Sequence, residues 1–158
     1  GVEVFADKEA FDTLDGHYAY LTGSFYMGLI IVDISELSEP TFVAEYQTGH
    51  GLGAQVRGDT AYVADQNGGL EVVDVGNLGG ITSWANSTAA MYDLNLGGNY
   101  VFGVDYNNGL QVYNVSLREF PGHVASAAAT GSQVLAIRLM GRHAYLADGT
   151  GVSVMLLQ

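Results

Sequence analysis

The chain has no cysteine, two prolines and only five basic residues in 158 positions. Without cysteine there is no disulfide framework, no zinc–cysteine site and no thiol nucleophile. The five Lys and Arg stand against 17 Asp and Glu, a formal net charge of −12. A surface of that sign repels polyanions, so nucleic acid and anionic membrane are poor partners. No run of 18 apolar residues occurs, so no membrane-spanning helix is expected. Nor does a basic-then-apolar leader stand at Gly1, and the expectation is a mature secreted protein, with an excised segment as the alternative.

What the chain does have is glycine, 22 residues of it, with ten tyrosines and 48% hydrophobic residues. Abundant Gly with scarce Pro points to many tight turns. Tyr suits half-buried strands with a wet edge. The glycines are periodic. One set precedes an Ala-Tyr-like strand at Gly16, Gly58, Gly98 and Gly141; another opens a Gly-Leu-like strand at Gly28, Gly69, Gly109 and Gly151. Both sets advance by about 40 residues, the period of an internal repeat.

Each repeat resolves into four short strands. An inner strand ends at Leu14, Val56, Leu96 or Leu139, and a Gly turn leads to a second strand in which small residues alternate with aromatics, as in Thr60-Ala61-Tyr62-Val63-Ala64. Asn/Gly turns supply positive φ before the third strand, of which Gly69-Leu70-Glu71-Val72-Val73-Asp74 is one copy. A looser connection reaches the fourth, as in Phe42-Val43-Ala44-Glu45-Tyr46 or Ile81-Thr82-Ser83-Trp84. Four antiparallel strands per ~40 residues is the blade of a β-propeller. The expected fold is therefore all-β: a single domain over 1–158, with four four-stranded blades at about 1–34, 35–75, 76–115 and 116–158.

The register is cut between third and outer strands. The chain starts with a lone outer strand, Val2-Glu3-Val4-Phe5-Ala6, and its last unit stops after the third, Val152-Ser153-Val154-Met155-Leu156-Leu157. The N-terminal strand is accordingly expected to complete the last blade and close the ring, hiding a sheet edge. Inner-strand side chains such as Leu14, Val56, Leu96 and Leu139, or their alternate neighbours, would fill its narrow centre. The alternative is an open four-blade half, two of which join as an eight-blade dimer.

Gly28-Leu29-Ile30-Ile31-Val32-Asp33-Ile34-Ser35-Glu36-Leu37-Ser38-Glu39-Pro40 resembles the LVIVD-repeat propellers, as does Gly58-Asp59-Thr60-Ala61-Tyr62-Val63-Ala64-Asp65. The resemblance runs along the whole chain and is strongest in the first two units. In the third, Asn114 replaces the Asp of Asp33 and Asp74, and in the last Leu156 stands there. The resemblance implies a secreted or surface propeller, and it carries no catalytic residues to transfer.

Asp65, Asp105 and Asp148 recur at the end of the second strand. A carboxylate among turn carbonyls suits calcium, but one acidic residue per loop falls far short of an EF-hand spacing. The expected role is to accept hydrogen bonds from the turn backbone, and Asp33 and Asp74 are read the same way. His17, His50, His123 and His143 lie in different units, and no H-x-H, H-E-x-x-H or G-x-S-x-G motif occurs. No metal or cofactor is expected. His50, in the loop Gly49-His50-Gly51-Leu52-Gly53, is the first residue to inspect for a site. Two sequons, Asn86-Ser87-Thr88 and Asn114-Val115-Ser116, make Asn86 and Asn114 candidate glycosylation sites in a secreted chain.

Nothing here assembles a reaction centre. The leading reading is a non-enzymatic extracellular or cell-surface propeller serving as a protein-interaction or self-assembly module, a homo-oligomer or filament subunit. Phe42, Tyr46, Trp84 and Ala127 on the outer strands are the expected contact residues, since burial of apolar area drives association. The alternative is an enzyme or a glycan-binding propeller with a site on the loop face near His50.

Overall fold

Alternating small and aromatic residues between Gly turns produce short strands throughout. The computed structural model describes residues 10–23, 27–86, 90–129 and 133–157, and no helix occurs among them. Strands β1 (Ala10–Asp15), β2 (Tyr18–Gly23), β3 (Gly28–Asp33) and β4 (Thr41–Tyr46) form the first sheet. The second contains β5 (Gly51–Arg57), β6 (Thr60–Asp65), β7 (Gly69–Asp74) and β8 (Thr82–Asn86). The third contains β9 (Asp93–Gly97), β10 (Tyr100–Asp105), β11 (Gly109–Asn114) and β12 (Gly122–Ala127). The last sheet has three strands among the described residues, β13 (Ala136–Met140), β14 (His143–Asp148) and β15 (Gly151–Leu156). Every pairing is antiparallel between sequence neighbours, and β1, β5 and β9 lie beside the first strand of the following sheet. These are four blades of a propeller. Residues 2–6, the expected closing strand, lie outside the described residues.

The turns hold to one pattern. Gly16, Gly58, Gly98 and Gly141 all have φ between 57° and 60°, a conformation that costs any other residue strain. Just past each third strand the same backbone bond recurs: the amides of Ile34, Val75, Val115 and Leu157 donate to the carbonyls of His17, Asp59, Asn99 and Arg142. Gly109 (φ 77°) carries a second demand, because its α-carbon backs onto the outer strand: a Cβ there would sit 2.5 Å from the Ala127 carbonyl and 2.7 Å from the Ala129 amide nitrogen.

The core lies between sheets rather than within one. Leu29, Ile31 and Tyr20 of the first sheet pack on Ala54, Ala61 and Val63 of the second. Leu70, Val72 and Tyr62 pack on Met91, Leu94 and Val101, and Leu110, Phe102 and Val104 pack on Ile137, Ala144 and Leu146. Val56, Leu96 and Leu139 join these cores. Their alternate neighbours meet the next blade instead. Gln55 Oε1 accepts from the Leu96 amide (3.0 Å), Asn95 Oδ1 from the Leu139 amide (3.0 Å) and Asp93 Oδ2 from the Ile137 amide (2.9 Å). Side-chain acceptors of one inner strand thus satisfy backbone donors of the next.

The last sheet breaks the sequence of covered faces. By register, Val152 and Val154 correspond to Leu29 and Ile31, yet Val152 is 66% and Val154 56% exposed, with Leu156 at 58% and Met140 at 70%. Ser153, on the opposite face of the same strand, is buried. Nothing described lies within 4 Å of a Cβ placed on Gly151, where Gly109 meets an outer strand. Among the described residues the ring is not closed.

Replacing Gly109 by Ala should cost about 3 kcal/mol, from left-handed strain plus the collision with the outer strand, against about 1 kcal/mol for Gly58→Ala, where only strain applies. Urea unfolding of the two variants measures the difference; equal losses would show that β12 does not seat against Gly109.

Candidate functional site

One rim of the sheets gathers the turns between second and third strands and the connections from outer to next inner strands. There the recurrent aspartates do the work of turn formation. Asp65 Oδ1 accepts from the amides of Asn67 and Gly68, both at 2.6 Å, and its Oδ2 from the amide of His50 at 2.9 Å. Asp105 Oδ1 takes the amides of Asn107 (2.8 Å) and Asn108 (2.9 Å). Asp148 takes those of Thr150 (2.9 Å) and Gly151 (3.0 Å), and its other oxygen accepts from the Ser153 hydroxyl at 2.7 Å. A carboxylate surrounded by donors is stabilised as the anion. Burial of Asp65 opposes ionisation, but the donated amides of His50, Gly68 and Asn67 outweigh it and hold the carboxyl below its ordinary range.

At the other rim Asp33, Asp74 and Asn114 accept the amides of Ser35 (2.8 Å), Gly76 (2.9 Å) and Ser116 (2.9 Å). Asn114 therefore replaces Asp without losing the turn, because the bond needs only an oxygen acceptor. Asn86 closes β8.

The histidines stay apart. His50 meets Asp65 through its backbone amide, His17 is exposed, and His123 Nε2 lies 3.0 Å from Gln111 Oε1 with its ring edge-on to Tyr113. The ring of His143 lies 6.3 Å from that of Tyr145. No group of three or more His, Asp or Glu side chains that would hold a metal ion occurs among the described residues. The His50 rim does hold an aromatic pair, Tyr92 and Tyr106, with centroids 5.1 Å apart, and Gln66 Nε2 donates to the Tyr92 hydroxyl at 2.6 Å.

Among the four outer-strand residues, Phe42 is 57% exposed and Ala127 is exposed on a strand whose every residue is open to solvent. Tyr46 is half-buried and packs against the core shared by the first two blades, where burial pushes its hydroxyl pKa up. Trp84 packs partly into the core between the second and third blades. The Arg118 guanidinium covers its ring at 4.1 Å and reaches Asp59 at 2.5 Å. Trp84 thus offers a capped edge rather than a bare face.

Two features escaped the sequence reading. Glu71 is a buried carboxylate in mid-strand, where the third repeat has Gln111. Burial and the negative charge of Asp65 push its carboxyl up, with the Tyr46 hydrogen bond only partly offsetting them. Its signal was available, since an acidic residue inside Gly-Leu-x-Val-Val is out of pattern. The other is the exposed face of Met140, Val152, Val154 and Leu156. Its alternation was visible, but which face would lack a cover was not.

The LVIVD repeat model matches residues 13–48 and 49–82. No curated protein matches the chain. Among solved structures, the computationally designed Ika4 protein superposes with a TM-score of 0.71 at 13% identity, covering 92% of this chain and 88% of that one. The computationally designed Ika8 protein gives 0.69 at 12% identity, with 96% of this chain against 46% of Ika8. The N-terminal domain of Nup159 gives 0.58 at 11%, with 95% against 45%. The chain thus spans about half the length of the last two. At these identities the likeness is one of fold.

Glu71→Gln should stabilise the protein at pH 7 by about 1 kcal/mol, because a buried charge without full compensation is removed. The native Glu71 holds its proton more tightly than the unfolded one, so its contribution is largest in acid and is lost as pH rises through the raised native value. The gain in the variant should accordingly vanish below the ordinary 4.5. Denaturant unfolding at several pH values checks this, and a pH-independent difference would contradict it.

Proposed function

With LVIVD repeats in its first half, we propose that this chain is a non-enzymatic extracellular or cell-surface propeller whose work is contact: a binding and self-assembly module. The observation that carries the reading is the spread of uncovered apolar side chains over the last sheet and the outer strands, set on a scaffold whose recurrent carboxylates are committed to turn amides. Phe42 and Ala127, both open to solvent, are the centre of the outer contact surface, with the half-buried Tyr46 and the Arg118-capped edge of Trp84 at its margin. Asn86 and Asn114 carry glycans in material from the secretory route. Residues 2–6 pair antiparallel with β15, supply the missing outer strand and close the ring.

A second reading has one observation in its favour. The Tyr92–Tyr106 pair and Gln66 gather two aromatic rings and an amide on one rim, residue types that suit sugar rings. A glycan-binding site on this rim, near His50, is the runner-up to assembly.

Association should rise with protein concentration and with added salt, because salt screens the repulsion between copies of charge −12. Phe42→Ser and Ala127→Glu should each weaken it about tenfold and leave the unfolding transition in place, since neither side chain is in a core. Light scattering across salt and concentration makes the measurement. A chain that stays monomeric throughout and gains thermal stability from a sugar ligand would put the second reading first.

Deleting residues 1–8 should expose the β15 edge and turn a soluble protein into one that aggregates. Size-exclusion chromatography of the truncated chain decides it. An equally soluble and stable truncation would rule out closure by this strand.

A further inference from the structure

Two buried oxygens at the junction of the first two blades have no hydrogen-bond partner among the described residues, Thr48 Oγ1 and Glu71 Oε2. Their residues are 6% and 7% exposed, and Asp65 beside them is fully buried. Thr48 Oγ1 stands near enough to the Asp65 carboxylate to favour its anion, yet short of hydrogen-bond geometry. Glu71 faces the charge of the same carboxylate. Glycine leaves room around these atoms. A Cβ on Gly68 would sit 2.9 Å from Glu71 Oε1 and 3.5 Å from Asp65 Oδ1, and one on Gly51 would sit 3.3 Å from Thr48 Oγ1.

The later blades show what this place requires. Two residues past the glycine that opens each third strand stand Glu71, Gln111 and Ser153. Ser153 donates its hydroxyl to Asp148 Oδ2 at 2.7 Å, and Gln111 donates its amide to the Asn108 carbonyl at 3.3 Å. In the second blade the donor is replaced by a carboxylate, which has nothing to donate once ionised. Two acidic groups then stand together in a buried place, and no Lys or Arg is among the described groups that shift either carboxyl. Buried charge of one sign calls for a positive partner.

We propose that this partner is a bound hard cation of the calcium class, held by Glu71, Asp65 and Thr48 with water completing its shell. Carboxylate and neutral oxygens are the ligands such an ion takes. Glu71 offers its unpartnered Oε2 and Thr48 its hydroxyl oxygen. On Asp65, the amides of His50, Asn67 and Gly68 leave one of four lone-pair sites open. Gly49, His50 and Gly68 are only partly buried, so the site lies just beneath the rim. Two carboxylates and a hydroxyl are a smaller set than an EF-hand supplies, and the dissociation constant should be about 10⁻³ M, the range of extracellular calcium modules.

Thermal unfolding of the EDTA-treated full chain tests this. The transition should rise by about 3 °C in ~10 mM calcium chloride, beyond the rise given by sodium chloride of equal ionic strength. The sodium control is needed because screening a net charge of −12 stabilises by itself. Glu71→Gln should lose the calcium-specific part and keep the response to sodium. In EDTA it remains the more stable chain, and calcium should narrow or reverse that order. Thr48→Val, which keeps both carboxylates, should raise the half-saturating calcium concentration about tenfold. Terbium gives a second readout: it should luminesce under tyrosine excitation, since Tyr46 lies beside both carboxyls, and calcium should compete it away. A native chain that responds to calcium no more than to sodium overturns the proposal and leaves Glu71 only a proton. Equal calcium responses in the native chain and Glu71→Gln overturn it too, by placing the ion elsewhere on the acidic surface. An unchanged calcium response in Thr48→Val overturns the three-ligand site.

Discussion

Every blade of this protein is amphipathic on both faces and stable on neither alone. A four-stranded sheet of about 25 residues buries little of its own surface, and a lone small sheet in water is marginal. Here each sheet acquires its core only when the following one arrives: Leu29 and Ile31 are fully buried because Ala54, Ala61 and Val63 stand against them. Stability then resembles a sum over junctions between neighbours, as in other repeat architectures. Such a series of junctions has a consequence that a sandwich does not share. A face that no following sheet meets, such as that of Val152 and Val154, is a half-built junction among the described residues.

The polar groups obey the same rule of serial satisfaction. Inner-strand donors of one blade are met by acceptors of the previous one, Gln55 for Leu96, Asp93 for Ile137 and Asn95 for Leu139. Turn amides are met within the blade by Asp65, Asp105 and Asp148. The recurrent acidic residues serve here as acceptors for amides that would otherwise go unpaired. Glu71 departs from the rule. It occupies a position filled by an amide in Gln111, which makes two contacts there, to the Asn108 carbonyl and to His123. A charge at this buried place between the first and second blades is a local conflict, and natural sequences tolerate few of them.

Much of this was readable from the residues. Two sets of glycines at a common period marked the turns, since only Gly takes φ near +60° without strain, and strand alternation followed from side chains that face opposite blades. The turn role of Asp33 and Asp74 was legible from the residues, and the structure adds that Asn114 keeps that turn because the bond requires only a carbonyl-type oxygen. What could not be read were properties of junctions. For Trp84 the sequence left open packing between blades or a partner-facing patch; that Arg118 from the next blade lies over it could not be read, since Arg118 is 34 positions away in a loop without periodicity. The pairing of Tyr92 with Tyr106 likewise depends on how a connection folds back over a turn, which no strand period encodes. The apolar alternation of Val152, Val154 and Leu156 was plain; that it would face solvent depended on what came next in space.

The distinction between a fold element and an interface narrows at such a face. Val152 and Leu29 hold the same place in their repeats, and the physics that buries one acts on the other with equal force. For Leu29 the cover is tethered by the chain, so its effective concentration is high and burial is complete. If the cover for Val152 is a separate molecule, as proposed, the gain must exceed the loss of translational and rotational freedom. On the proposed assembly reading, a core face thus becomes a concentration-dependent contact without any change in its residues.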